Sequence, residues 1–269
     1  MSGVRSSPKA RRSPILTPSA ASSVEITSGA GPEPASGDPA VGFLPAWLFL
    51  VRQPEDLGLV PDRVQPKGAA PIKEPAFTRA QAMRTGAFWL LALYTLLVFP
   101  VQAGVSLHQA PHLIERGFSP ILAATVISVF SAMSALASLT IGFLPRRWPI
   151  QASLVVAALL MGVGTFGLIG VDSVAIAFIA AGVFGFGIGG IMTTLPVAWA
   201  DYFGRESYGA IRGTALTFQV IGAAVGPLLS GALRDWSGNY SYSLVTLGLS
   251  ALAAAAVALA ARRPVPVLQ

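Results

Sequence analysis

The sequence predicts an all-α membrane protein of six transmembrane helices, arranged as two inverted three-helix repeats. Three observations carry that expectation. Apolar runs have the length of a membrane crossing, basic residues gather on one side of those runs, and a short motif recurs three runs apart.

Of 269 residues, 53% are hydrophobic and only 11% are charged, against about 25% charged in an ordinary globular domain. So little charge cannot coat a water-facing surface of this size. Between Arg84 and Arg262 the acids and bases fall in short clusters separated by apolar runs. Each run is close to the roughly 20 residues with which a helix crosses about 30 Å of hydrocarbon. The runs lie near residues 87–107, 121–144, 150–170, 174–200, 214–233 and 244–261. They lack period-2 alternation and are rich in Ala, Leu and Gly, which excludes the strands of a membrane barrel.

The remaining segments are read from composition. Residues 1–40, rich in Ser, Pro, Ala and Gly, bury too little apolar surface to offset their ordering entropy and are expected to be disordered. Residues 41–51 are apolar but too short to span, and read as the stub of a preceding transmembrane helix. Residues 52–86 form a polar, Pro-rich cytoplasmic linker, 87–261 the six-helix transmembrane domain, and 262–269 a cytoplasmic tail. The net charge of +6 does not indicate nucleic acid, because the bases flank apolar segments instead of forming a solvated patch. Cysteine is absent, so no disulfide framework or thiolate chemistry is available. Arg5, Lys9, Arg11 and Arg12 are followed by no apolar stretch of a secretory signal.

Orientation follows from the basic residues. With the linker cytoplasmic, that side carries Arg52, Arg63, Lys67, Lys73, Arg79, Arg84, Arg146, Arg147, Arg205, Arg212, Arg262 and Arg263, and the other side Arg116 and Arg234. Twelve against two is a strong positive-inside bias, and it requires an even number of crossings. The second run ends in Gly142-Phe143-Leu144-Pro145-Arg146-Arg147-Trp148, and the fifth in Gly231-Ala232-Leu233-Arg234-Asp235-Trp236. Each has Gly-x-Leu, then charge, then Trp, on the middle helix of a triplet and on opposite sides of the membrane. Two inverted three-helix repeats produce that pattern, although Trp and Arg also favour membrane interfaces independently.

Several segments together resemble bacterial major facilitator superfamily transporters. Arg52-Gln53-Pro54-Glu55-Asp56-Leu57-Gly58-Leu59-Val60-Pro61-Asp62 is similar to their central cytoplasmic loop. His108-Gln109-Ala110-Pro111-His112-Leu113-Ile114-Glu115-Arg116-Gly117-Phe118-Ser119-Pro120 resembles the outer loop after the seventh helix. Tyr202-Phe203-Gly204 with Gly209-Ala210-Ile211-Arg212-Gly213, and the GAAVGPLLSG stretch from Gly222 to Gly231, resemble the approach to the eleventh helix and that helix itself. The likeness is greatest to the monocarboxylate-porter and oxalate/formate-antiporter-like branch. The resemblance implies the C-terminal six-helix half of a twelve-helix fold, working by alternating access around a central site. Where the family often places an Asp before its Arg, this chain has Pro145, Arg146 and Arg147, so the charge cluster bracing the inward gate is expected to be weaker.

Ionisable groups inside a membrane would be the first functional candidates, and the predicted spans carry none in their interiors. The resemblance implies a buried cation in organic-anion members. The runs 121–144 and 214–233 lack one, which argues against a mono- or dicarboxylate and leaves any proton-coupling acid to the other half. Uncharged polarity remains. Thr95, Gln102, Ser106 and Gln109 fall on one helical stripe and, with His108 and Gln219, are the candidates for a transport path. Ser128, Ser131, Ser134 and Ser138 form a second stripe, read first as helix-knitting hydrogen bonds worth about 0.6 kcal/mol each. His108 and His112 have a metal-compatible spacing, but Pro111 is expected to break the turn between them, and no metal is assigned. Gly185 with Gly189, and Gly222 with Gly226, are small-xxx-small pairs that allow close helix approach. Pro227 is expected to kink its helix. Gly142, Arg146, Arg147, Gly222, Gly226, Pro227 and Gly231 are the gate and packing motifs. Gly182 to Gly190 lacks the Lys-Ser/Thr of a phosphate loop, and no cofactor is expected.

Three functions follow. The first is a carrier half moving a small organic solute, an organic anion among the options, with a separately encoded N-terminal half or a second copy as partner. The second is a truncated, non-transporting remnant or membrane interaction partner. The third, a membrane enzyme, has no cluster of His, Asp, Glu or Cys to support it. The expected location is the inner membrane of a bacterium, with both chain ends cytoplasmic.

Overall fold

Among the residues described by the computed structural model, 77–143 and 148–264, all regular structure is α-helical. Six helices are long and apolar enough to cross a membrane. A short α1 (Arg79–Met83) leads into α2 (Gly86–Glu115), α3 (Pro120–Gly142), α4 (Ile150–Ile169), α5 (Val174–Phe203), α6 (Tyr208–Ser237) and α7 (Ser241–Ala260). The expectations for residues 1–40, the stub 41–51, the linker up to residue 76, Arg146 and Arg147, and the tail beyond residue 264 lie outside the described residues.

Local chemistry explains the helix starts. α1 lies in the segment read as linker, and a capping box makes it. Thr78 Oγ1 accepts the Gln81 N–H at 3.3 Å, and Gln81 Oε1 accepts the Thr78 N–H at 2.9 Å. Thr85, Ser119 and Ser173 cap α2, α3 and α5 through their side-chain oxygens. At the far ends of α2 and α6 the chain turns through Gly117 (φ +90°) and Gly238 (φ +79°), backbone that glycine adopts without steric cost.

Two expectations are corrected here. Pro111 does not break the turn between His108 and His112, because α2 runs through both Pro100 and Pro111 to Glu115. A proline removes one backbone donor, and inside a membrane bundle neighbouring groups tolerate that loss. α6 begins at Tyr208 and ends at Ser237, well outside the 214–233 run, because its first turns are polar and carry no apolar signal. Arg212 therefore belongs to a long helix and not to a loop.

The six helices divide into two triplets, α2–α3–α4 and α5–α6–α7. Because each triplet has three crossings, its counterpart runs the opposite way, which is the inverted repeat. Packing follows the same symmetry. α2 packs chiefly on α6 and α7 of the other triplet, α5 packs chiefly on α3 and α4, and the third helices α4 and α7 pack on each other. The crossings depend on missing side chains. A Cβ at Gly226 of α6 would lie 2.7 Å from Pro100 Cα, and one at Gly222 would lie 3.1 Å from Phe99 Cβ. At the related α5–α3 crossing, a Cβ at Gly189 would lie 2.8 Å from the Ser134 carbonyl carbon, and one at Gly185 would lie 3.0 Å from that of Phe130.

Hydrogen bonds pin these contacts. Ser250 Oγ donates to Leu97 O (2.9 Å), Ser138 Oγ to Gly189 O (3.3 Å), and Gln151 Nε2 to Ala258 O (2.9 Å). Ser128 and Ser131 only bond back to their own helix, at Ala124 O and Ile127 O. Tyr94 is fully buried and donates to Leu154 O at 2.9 Å. Tyr94→Phe should therefore lower stability by about 1 kcal/mol, seen as a lower thermal midpoint of the purified chain. An unchanged midpoint would show that this bond contributes nothing.

Candidate functional site

Packing sorts the polar candidates on α2 into different environments. Thr95 is buried and its hydroxyl donates to Leu91 O at 2.7 Å, so its own helix satisfies it. Gln102 is half-buried and borders a shallow crease with Val98, Phe99, Met161, Ile188, Ile191 and Met192. The crease joins α2 to α5, the first helices of the two triplets, and is pinched too narrowly to admit a water-sized sphere. Farther along, Ser106 Oγ and both amide atoms of Gln109 are buried without a hydrogen-bond partner among the described residues.

Gln219 lies on α6, one turn before Gly222. Phe99 both lines the crease and would crowd a Cβ at Gly222, and Gln219 lies one turn from Gly222 toward the end of the bundle where α2 begins. There Gln219 Oε1 accepts Arg212 Nη2 at 2.9 Å. Tyr208, one turn before Arg212, donates its hydroxyl to Pro196 O of α5 at 3.4 Å, which sets this flank of α6 beside α5. Arg212 and Gln219 thus lie on one flank of α6 set beside α5, while Gln102 lines the α2–α5 crease. The sequence reading counted Arg212 among the cytoplasmic bases and not among the path candidates, although Arg212 and Gln219 are seven residues apart. That is about two turns and so one helix face.

The opposite end of the bundle holds a separate polar cluster. His108 Nδ1 lies 3.1 Å from Gly104 O, and His112 Nε2 lies 2.7 Å from Leu168 O. Because carbonyls only accept, each ring donates through that nitrogen. Both rings face Tyr240, at centroid distances of 5.3 and 6.0 Å. Arg234 lies over the same ring at 5.9 Å and binds Glu115 Oε1 through Nη2 at 2.8 Å. Arg116 donates to Ile169 O. Burial and the Glu115 carboxylate push the Tyr240 hydroxyl above its ordinary value, with Arg234 opposing them. This cluster joins the ends of α2, α4, α6 and α7 and lies away from Gln102, Gln219 and Arg212.

The remaining candidates divide cleanly. Gly222 and Gly226 sit in the tight α2–α6 crossing, whereas Cβ atoms at Gly142 and Gly231 would meet nothing within 4 Å. Pro227 lies inside a helix that continues unbroken to Ser237. The acids Glu115, Asp201 and Asp235 occupy terminal turns of long helices, where Glu115 pairs with Arg234 and Asp201 with Arg263. The flank of α6 beside α5 presents the Gln219 amide and the Arg212 guanidinium, and the α2–α5 crease presents the Gln102 amide on apolar walls.

Known proteins resemble the chain in the same sense. The chain is 30% identical over 171 residues to monocarboxylate transporter 11 of Mus musculus, covering 59% of this chain and 38% of that protein. It is 29% identical over 210 residues to monocarboxylate transporter 11 of Homo sapiens, covering 73% of this chain and 44% of that protein. The aligned part is therefore less than half the length of these relatives. The family model described as Major Facilitator Superfamily matches residues 39–227 and 115–269, a reach that takes in both triplets and the junction between their first helices. By that match and by its six apolar helices in two inverted triplets, the chain belongs to the major facilitator superfamily and is a multi-pass membrane protein.

Proposed function

We propose that the chain acts as one six-helix half of a secondary transporter, moving a small organic solute by alternating access. The α2–α5 crease and the adjoining flank of α6 are its share of the path. One observation carries the reading: α3 and α6 are only 17% buried along their spans, against 44–61% for the other four. α6 also carries Arg212, Thr214, Thr217 and Gln219 at or near its uncovered side. Hydrocarbon does not solvate polar side chains, so they need protein or water against them. A second six-helix half, separately encoded or a second copy of this chain, would cover α3 and α6 and close an aqueous path over the crease. The names of the relatives, both monocarboxylate transporters, favour an organic anion as the solute. The twelve-to-two excess of basic residues favours the α1 end as cytoplasmic, and the resemblance to the bacterial branch favours an inner membrane.

The test is uptake into proteoliposomes by the chain alone, then together with a co-expressed N-terminal half. Saturable flux of a small carboxylate that requires both halves and drops at least tenfold in Gln102→Ala is the expected result. If a folded, inserted assembly shows no flux of any small organic solute, the carrier reading is lost and the non-transporting reading takes its place.

A further inference from the structure

α3 and α6 are the least covered of the six spanning helices, and they hold glycines that contacts within the chain do not explain. Past the first residue of α2, every described glycine inside α2, α4, α5 and α7 would bring an added Cβ within 4 Å of a neighbour. A Cβ at Gly142, Gly209, Gly213 or Gly231, all on α3 and α6, would meet nothing within that distance. Glycine weakens a helix relative to alanine, and in a membrane its return is the close approach of a second helix. The uncovered faces also carry one pattern. Ala124, Ala135 and Gly142 of α3 recur at the same intervals as Gly213, Ala224 and Gly231 of α6, with a hydroxyl, Ser128 or Thr217, four residues after the first. Those steps return to one side of a helix. That side lies opposite the buried Val126 and Ala137 of α3, and opposite the buried Gly222 and Gly226 of α6. From Pro120 to Gly142 and from Gly213 to Gly231 there is no charged residue.

We infer that these faces are a self-association surface, covered by a second copy of this chain when the chain is alone in the membrane. α3 and α6 are the second and fifth crossings, so they run in opposite directions. With their centres at about the same depth, α3 of one copy lies antiparallel to α6 of the other. Ala124 then falls beside Gly231, Ser131 beside Ala224, and Gly142 beside Gly213. Read from the outer end, both faces place their small residues at the same steps, so each face fits the other in reversed order. That match names the occupant, and two uncharged faces oppose no like charges. Both copies insert the same way round, so a two-fold axis along the membrane normal makes the contact twice. The pairing stands whether or not the chain carries a solute.

The chain contains no cysteine, so introduced thiols report on this contact alone. Two differently tagged copies, one Ser131→Cys and the other Ala224→Cys, are reconstituted together at high dilution in liposomes and oxidised with copper phenanthroline. The expected product is a mixed disulfide dimer. Its yield should be at least about tenfold above that from two Leu249→Cys copies, altered at an exposed site on α7. Gly213→Leu in both copies should lower the yield about tenfold or more, and Gly142→Leu, from the other side of the same contact, should do likewise. Neither should shift the unfolding midpoint of the detergent-separated monomer, because a Cβ at either position meets nothing within 4 Å. A Ser131–Ala224 yield no higher than the Leu249 pair overturns the inference, and so does a yield indifferent to both leucines. Two Ser131→Cys copies that join each other as readily overturn the antiparallel match. Flux measured with a separately encoded half bears on the carrier reading alone, so either conclusion can fail without the other.

Discussion

Gly226→Ala is expected to cost about 3 kcal/mol or more, the upper part of the range for overpacking a filled interior. The added methyl would meet Pro100 Cα at 2.7 Å and the Pro100 carbonyl carbon at 2.8 Å, and backbone cannot swing away as a side-chain tip can. Relief requires α2 and α6 to separate, which also loosens Gly104, whose own Cβ would lie 3.0 Å from Gly226 O. Gly231→Ala, five residues on, is the control. A Cβ there meets nothing within 4 Å, so the gain in helix propensity of up to about 1 kcal/mol makes that change neutral or stabilising. The inverted repeat extends the expectation to Gly189→Ala, whose methyl meets the Ser134 backbone. Thermal unfolding of the purified variants reads all three. Equal midpoints for Gly226→Ala and Gly231→Ala would show that the two helices do not cross as described.

The second large effect is expected at Trp199. It is fully buried on α5, with ring centroids 5.4 Å from Phe88 and 5.8 Å from Phe203. Trp199→Ala should cost about 3–5 kcal/mol, because the emptied volume loses its dispersion contacts whether or not water is present. Trp199 Nε1 has no hydrogen-bond partner among the described residues, so Trp199→Phe gives up no bond there and should cost less than about 1.5 kcal/mol. That ordering separates packing from hydrogen bonding. If Phe and Ala destabilise equally, as judged by unfolding midpoint, the indole N–H has a partner that this packing does not contain.

Arg212 shows why part of the candidate site could not be read from the chain alone. The apolar run that betrays its helix begins at Thr214, because hydropathy reports what lipid will accept and not where backbone hydrogen bonds begin. Helix α6 starts six residues earlier, at Tyr208, and the side chain then lies along it. Pro111 failed as a helix breaker for a related reason, since the bundle tolerates the donor it removes. The stripe Thr95–Gln102–Ser106–Gln109 was visible at helical spacing. Spacing does not say which neighbour a stripe faces, and the four residues meet three different fates.

The number of membrane helices, their approximate places and the inverted repeat were determined by sequence, because lipid imposes a minimum apolar length and a charge asymmetry that act locally along a chain. The glycine spacing on α5 and α6 was equally legible as a capacity for close approach. Only the tertiary structure decided which helix each glycine meets, that the triplets exchange their middle helices, and that Arg212 binds Gln219 along one helix. Those outcomes depend on shape complementarity between segments about 100 residues apart, a property that side chains acquire only once the helices have packed.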